Sequence, residues 1–210
     1  MKPQTSHDLF TLAPVVPVVV LDDADTAVPL ARALVRGGLP AIEVTLRTEA
    51  GLAAIERIAA EVPEAVVGAG TVTTPEQAAA AAKAGSAFLV SPGCTDRLRA
   101  AMADTGVPFL PGVATASEAM ALLEQGVDAL KFFPAEAAGG RAYLKSLAGP
   151  LPQVRFCPTG GVTPASAPEY LALPNVGCVG GTWLTPREAV ETGDWDRIET
   201  LAREAAALRP

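Results

Sequence analysis

Lys131 lies in the run Asp128-Ala129-Leu130-Lys131-Phe132-Phe133-Pro134-Ala135, which reads as a buried β-strand and is an unusual place for an ammonium group. Burial disfavours the charged form of a lysine and frees the amine lone pair for attack on a carbonyl. Lys131 is therefore a candidate Schiff-base nucleophile. The alternative is a lysine at a strand end whose stem covers apolar surface while its head reaches water. A second polar set is Glu43, Thr45 and Arg47 in Ala41-Ile42-Glu43-Val44-Thr45-Leu46-Arg47. Residues two apart share one side of a strand, so these three oppose Ile42, Val44 and Leu46. If such strands close into a barrel, the aliphatic side meets the helices and the polar side points inward. Glu43 is then buried, and Arg47 lines the carboxyl-end mouth where barrel active sites lie. The same alternation puts Lys131 and Phe133 on one face. A buried carboxylate and a buried amine in one interior form an acid/base beside a nucleophile, or else a structural ion pair.

Glycines at other strand ends point to an anion. Pro158-Thr159-Gly160-Gly161-Val162 and Val179-Gly180-Gly181-Thr182 end the last two predicted strands. Paired glycines there match a phosphate cradle of backbone N–H groups, although they also suit tight turns. No lysine or arginine adjoins either pair, so a phosphate would rest on amides and hydroxyls. Val67-Gly68-Ala69-Gly70-Thr71 stops short of a dinucleotide fingerprint, which needs G-x-G-x-x-G after the first strand. Thr71 reads as a hydroxyl at the mouth, or as plain helix entry.

The elements that must position these groups alternate about eight times along the chain. Strands are predicted over Val15–Asp22, Ala41–Arg47, Ala65–Thr71, Ala87–Gly93, Pro108–Ala114, Ala129–Ala135, Val154–Gly160 and Val176–Thr182. Helices are predicted over Thr26–Arg36, Ala50–Glu61, Pro75–Ala84, Asp96–Thr105, Ser117–Gln125, Arg141–Ala148, Ala165–Leu171 and Asp196–Leu208, with one more at about Ser6–Leu12 before the first strand. Pro75 and Pro164 mark helix starts, and Gly37, Gly85 and Gly126 mark helix ends. No linker or low-complexity segment divides the chain. This pattern predicts one domain over residues 1–210, a (β/α)8 TIM barrel with an N-terminal helix.

Composition narrows the function. With 210 residues, 50% of them hydrophobic, the chain can bury a sizeable core. No apolar run approaches the roughly 20 residues that span a bilayer, and the start lacks a signal-peptide pattern, so a cytoplasmic protein is expected. The net charge of −7 argues against nucleic acid or an anionic membrane as partner, but not against a small anion in a local pocket. Cys94, Cys157 and Cys178 show no paired spacing and read as reduced core cysteines. His7 is the only histidine and lies in the polar N-terminal segment. Histidine-rich zinc sites and His-based triads are thus disfavoured, and proton transfer falls to carboxylates, lysine, tyrosine or water.

Together these blocks resemble the 2-keto-3-deoxy-6-phosphogluconate (KDPG) and 4-hydroxy-2-oxoglutarate (KHG) aldolases, a class I family. The resemblance runs from about Val15 to Ala206. It is carried by Glu43-Val44-Thr45-Leu46-Arg47-Thr48, Val67-Gly68-Ala69-Gly70-Thr71-Val72, Ser91-Pro92-Gly93, Lys131-Phe132-Phe133-Pro134-Ala135-Glu136, Phe156-Cys157-Pro158-Thr159-Gly160-Gly161 and Gly180-Gly181-Thr182-Trp183-Leu184. It implies that Lys131 forms the Schiff base, Glu43 is the general acid/base, and Arg47 and Thr71 bind the pyruvyl carboxylate and keto region. It further implies that Thr159 influences stereochemistry and that Gly161, Gly181 and the Thr182 hydroxyl sit at the phosphate site, beside Gly160 and Gly180 of the paired-glycine cradle, while Pro92 and Phe133 read as apolar wall of the site. Thr182 stands where the family commonly has serine. The implied substrate is a small 2-keto acid phosphate, with no metal or organic cofactor, and the implied assembly is a homotrimer. Two other readings stay open on residue chemistry alone: an imine-free isomerase or epimerase on a phosphate-binding barrel, and a catalytically silent phosphate-ligand binding protein.

Overall fold

The computed structural model describes residues 3–208. Met1 and Lys2, part of the start read for a targeting signal, lie outside them, as do residues 209 and 210. A 3-10 turn, Ser6–Asp8, runs into α1 (Leu9–Leu12). The strands are β1 (Val15–Val19), β2 (Ala41–Thr45), β3 (Val66–Gly70), β4 (Leu89–Val90), β5 (Phe109–Leu110), β6 (Gly112–Val113), β7 (Ala129–Phe132), β8 (Arg155–Pro158) and β9 (Val179–Gly181). Between and after them run α2 (Ala27–Arg36), α3 (Ala50–Glu61), α4 (Pro75–Lys83), α5 (Asp96–Asp104), α6 (Ala116–Leu123), α7 (Gly140–Leu147), α8 (Ala167–Leu171), α9 (Arg187–Thr192) and α10 (Trp195–Ala206). None of the described helices is long and apolar enough to cross a membrane.

All strand pairs are parallel, in a six-stranded sheet ordered β5-β4-β3-β2-β1-β9 and a three-stranded sheet ordered β6-β7-β8. Single parallel bridges, Phe156 to Val176 and Thr159 to Gly180, join the second sheet to the chain around β9. The predicted fifth strand is cut in two at Pro111, which has no N–H to give a ladder. Leu110 pairs with β4, whereas the Pro111 carbonyl and Gly112 face β7. The result is a parallel α/β architecture curled around an interior.

Alternation along the strands sorts the side chains into two layers. Ile42, Val44, Val67, Ala69, Leu130, Phe132, Phe156 and Val179 pack outward with the helices. Val16, Ala41, Val66, Phe88, Leu110, Ala129, Cys157 and Cys178 form a separate interior cluster that also takes in Leu9, with Phe10 and Leu12 against it. The N-terminal helix thus plugs the amino ends of the strands. Its entry is fixed by a capping box, in which Thr5 accepts from the Asp8 N–H while the Asp8 carboxylate accepts from the Thr5 N–H. His7 ties the same segment to Asp128, ahead of β7, at 2.7 Å. At the other end, threonine side chains cap α4, α5 and α6 and set where the loops after the strands stop.

Two details differ from the sequence reading. Helix α9 was not anticipated, although Pro186 precedes it and Gly193, at φ 69°, ends it. Gly37 does cap the end of α2, as its place after the helix suggests, and the left-handed residue there is Gly38. Gly37 is bare because a Cβ there would overlap Ala202 of α10. Pro164 falls in the turn before α8, which has its own Pro168 in the first turn. The cysteines are free, and burial pushes the Cys94 thiol up to about 11, leaving it protonated and inert at neutral pH.

The plug is testable by stability. Leu9→Ala should cost about 2–5 kcal/mol in urea unfolding, whereas Met120→Ala, at a half-exposed position, should stay within about 0.5 kcal/mol. Equal effects would contradict the buried role of α1.

Candidate active site

Glu43 and Lys131 come from strands of different sheets and meet across the interior. Lys131 Nζ donates to Glu43 Oε1 at 3.1 Å. Their residues are only 4% and 3% exposed, which excludes a lysine whose head reaches water. The Nζ also stands 5.4 Å from the centre of the Phe133 ring, within the range of a cation–π contact. Bare backbone makes room for the pair. A Cβ on Gly70 would overlap the Glu43 carboxylate, and one on Gly112, the register partner of Lys131, would overlap Pro92. Pro92 is half-buried, and the neighbouring Ser91 hydroxyl accepts from the Gly112 N–H at 3.3 Å.

One step nearer the mouth on the face of Glu43, Thr45 is buried and its hydroxyl has no partner among the described residues. Arg47 follows, exposed, with its Nε donating to Thr71 Oγ1 at 3.2 Å. Arg47 makes no ion pair among the described residues, so most of its donor fork is available for a carboxylate. Thr71 holds φ 58°, a left-handed conformation that is costly for a β-branched residue. Such strain persists where surrounding structure imposes it, and it clusters at binding sites. No hydrogen bond joins the Arg47–Thr71 pair to the Lys131–Glu43 pair among the described residues.

The glycine loops are positioned from β8 and β9. Thr159 is buried, and a Cβ on Gly180 would overlap its hydroxyl. Gly160 and Gly161 hold φ 98° and 83°, which only glycine adopts readily. Their turn lies on the segment after β7, where the Ala135 and Glu136 N–H groups donate to the Thr159 and Gly160 carbonyls at 2.8 and 3.0 Å. The Gly161 N–H donates to no protein acceptor among the described residues. The Trp183 ring covers Gly181. Thr182 is exposed and borders a cavity of about 480 Å³ lined also by Val18, Val20, Asp22, Thr185 and Arg187.

Thus Glu43, Lys131 and Phe133 form one group, Arg47 and Thr71 a second, and Thr159 and Gly180 a third. Thr182 makes no hydrogen bond to any of them among the described residues. Tyr170, whose O–H donates to Glu136 Oε1 at 2.6 Å, was missed. A buried tyrosine requires a partner for its hydroxyl, but its sequence neighbours do not say which. No group of three or more potential ligands that could hold a metal ion occurs among the described residues. A buried amine, an adjacent carboxylate, a guanidinium with no ion pair among the described residues and open backbone amides suit imine chemistry on an anionic ketoacid.

Comparison with known proteins agrees with that chemistry. The family described as KDPG and KHG aldolase matches residues 7–201. The KHG/KDPG aldolase of Escherichia coli K12 is 52% identical over 201 residues, covering 96% of this chain and 94% of that protein. The 2-dehydro-3-deoxy-phosphogluconate aldolase of Pseudoalteromonas atlantica is 52% identical over 203 residues, covering 97% and 94%. Among solved structures, the KDPG aldolase of Legionella pneumophila, with pyruvate captured as a covalent carbinolamine intermediate, superposes with a TM-score of 0.94 at 44% identity, covering 96% of this chain and 98% of that one. With half its residues shared along nearly its whole length, this chain belongs to the KDPG and KHG aldolase family.

Proposed function

We propose that this chain is a class I pyruvate aldolase that cleaves 2-keto-3-deoxy-6-phosphogluconate to pyruvate and glyceraldehyde 3-phosphate, and that it also cleaves 4-hydroxy-2-oxoglutarate to pyruvate and glyoxylate. The observation that carries this reading is the contact of 3.1 Å between Lys131 and Glu43, both removed from water. A buried ion pair is a poor source of stability, because its desolvation offsets its attraction. Its retention is better explained by work that needs both groups.

The chemistry runs as follows. Lys131 passes a proton to Glu43, and its lone pair attacks the C2 carbonyl to give a carbinolamine. Glu43 returns the proton to the departing hydroxyl, water leaves, and an iminium forms. The Glu43 carboxylate, directly or through water, takes the C4 hydroxyl proton, and the C3–C4 bond breaks as its electrons move into the iminium. The aldehyde departs and leaves an enamine. Protonation at C3 followed by hydrolysis releases pyruvate and restores the amine. Arg47 clamps the carboxylate with its donor fork, Thr71 orients the keto end, and Phe133 and Pro92 form apolar wall. Thr159 influences the face on which the C4 centre sits. The amides of Gly160, Gly161, Gly180 and Gly181 and the Thr182 hydroxyl hold the phosphate.

The architecture that goes with this function is a single domain in which the two sheets form one (β/α)8 barrel. The bridges around β9 and the strand broken only at Pro111 support that closure. A homotrimer in the cytoplasm completes the reading, on the strength of the family resemblance.

A pyruvate-release assay tests the chemistry. Lys131→Ala should leave no turnover above background, and Glu43→Gln should lower kcat by about 10²–10⁴-fold. Full activity in Lys131→Ala would defeat the proposal. In the same assay, unphosphorylated 2-keto-3-deoxygluconate should lose about tenfold or more in kcat/KM. Equal specificity constants would remove the glycine loops from phosphate binding.

A further inference from the structure

The turn proposed to hold phosphate has an anionic side chain directly beneath it. The Glu136 Cβ and Cγ lie 2.8 and 2.7 Å from where a Cβ of Gly161 would be, and Glu136 is exposed. One of its carboxylate oxygens, Oε1, accepts from the Tyr170 hydroxyl at 2.6 Å. Tyr170 itself is 0% exposed, on α8. Burial, and then the bond to Glu136, push its hydroxyl well above the ordinary tyrosine range, so it remains a donor. The clamp is fitted into space left by Gly140. A Cβ there would stand 3.3 Å from the Tyr170 Oη and 3.5 Å from the Glu136 Oε2, and the residue holds φ 58°. Arg141 lies 5.9 Å from the Tyr170 ring centre but is paired with Glu169.

These contacts are more than a turn needs. The turn is already tied to the segment after β7 by two backbone hydrogen bonds, at 2.8 and 3.0 Å. What the clamp adds is control over where a negative charge sits. A carboxylate freed from Tyr170 lies a few bond rotations from the Gly161 N–H, which has no protein acceptor among the described residues. There it would occupy the donor and repel a phosphate dianion. Held on the α8 side, it does neither.

We infer that Tyr170 is a positioning residue for phosphate recognition, which by tethering the Glu136 carboxylate keeps the Gly160–Gly161 amides open to a phosphate monoester. The inference rests on the aldolase reading and concerns its phosphate half alone. Tyr170 touches none of the reacting atoms, so its loss moves affinity for phosphorylated substrate and leaves the imine steps intact.

The test is steady-state kinetics on 2-keto-3-deoxy-6-phosphogluconate and unphosphorylated 2-keto-3-deoxygluconate, with inorganic phosphate as a competitive inhibitor. In Tyr170→Phe, the KM for the phosphorylated substrate and the inhibition constant for phosphate should each rise about tenfold, with kcat and the kinetics of the unphosphorylated substrate unchanged. Adding Glu136→Gln to Tyr170→Phe removes the loose charge and should restore both constants. An equal loss on both substrates, no loss on either, or no recovery in the double variant would overturn the inference. Failure of the unaltered chain to release pyruvate from either substrate would overturn the aldolase reading and this inference with it. That failure is distinguishable because it appears before any variant is made.

Discussion

An amine and a carboxylate held 3.1 Å apart away from water set the terms for the rest of the molecule. Each ion alone would cost several kcal/mol to bury, and the pair is worth keeping only where geometry and surroundings are fixed. The interior must therefore be sealed below the pair and open above it. Leu9, Phe10 and Leu12 close the amino ends of the strands over Val16, Ala41, Val66 and Ala129. On the other side the strands run out into loops that carry Arg47, Thr71, Pro92, Phe133 and the glycine turns. Bare positions at Gly70 and Gly112 are the counterpart of the two long polar side chains, because the interior cannot hold both a Cβ at those points and the groups that now fill it.

Division of labour follows the strand period. Outward residues of β2 and β7 bind the helix layer, and inward residues two positions apart step from sealed core to buried ion pair to mouth. In β2 that progression is Ala41, Glu43 and Thr45, with Arg47 beyond the strand end. One strand thus supplies a residue of the sealed core and then, in a fixed order, the residues proposed as acid/base and carboxylate clamp. The glycine loops are built differently. Their conformations come from positive φ at Gly160 and Gly161, and their placement from backbone bonds and from Glu136 beneath them.

The buried pair was legible in the sequence because alternation puts Glu43 and Lys131 on inward faces and because apolar neighbours imply burial. Strand and helix order was legible for the same reason, with Pro75 and terminal glycines marking boundaries. What escaped depends on contacts between distant segments. Pro111 interrupts a strand that reads as continuous when only apolar residues are counted. Helix α9 is too short for periodicity to reveal. Gly37 reads as a helix terminator, yet its bareness answers to Ala202 in a helix far along the chain. The strained backbone of Thr71 and the Tyr170–Glu136 clamp leave no local signature, since each is imposed by packing.

The central claim is that the Lys131 amine captures a ketoacid as an imine, and reduction during exposure to pyruvate tests it most directly. Treatment with pyruvate and sodium borohydride should inactivate the protein and leave one N-(1-carboxyethyl) adduct, mapped by peptide mass spectrometry to Lys131, with no adduct in Lys131→Arg. Retained activity after that treatment, or an adduct on another residue, would contradict the account.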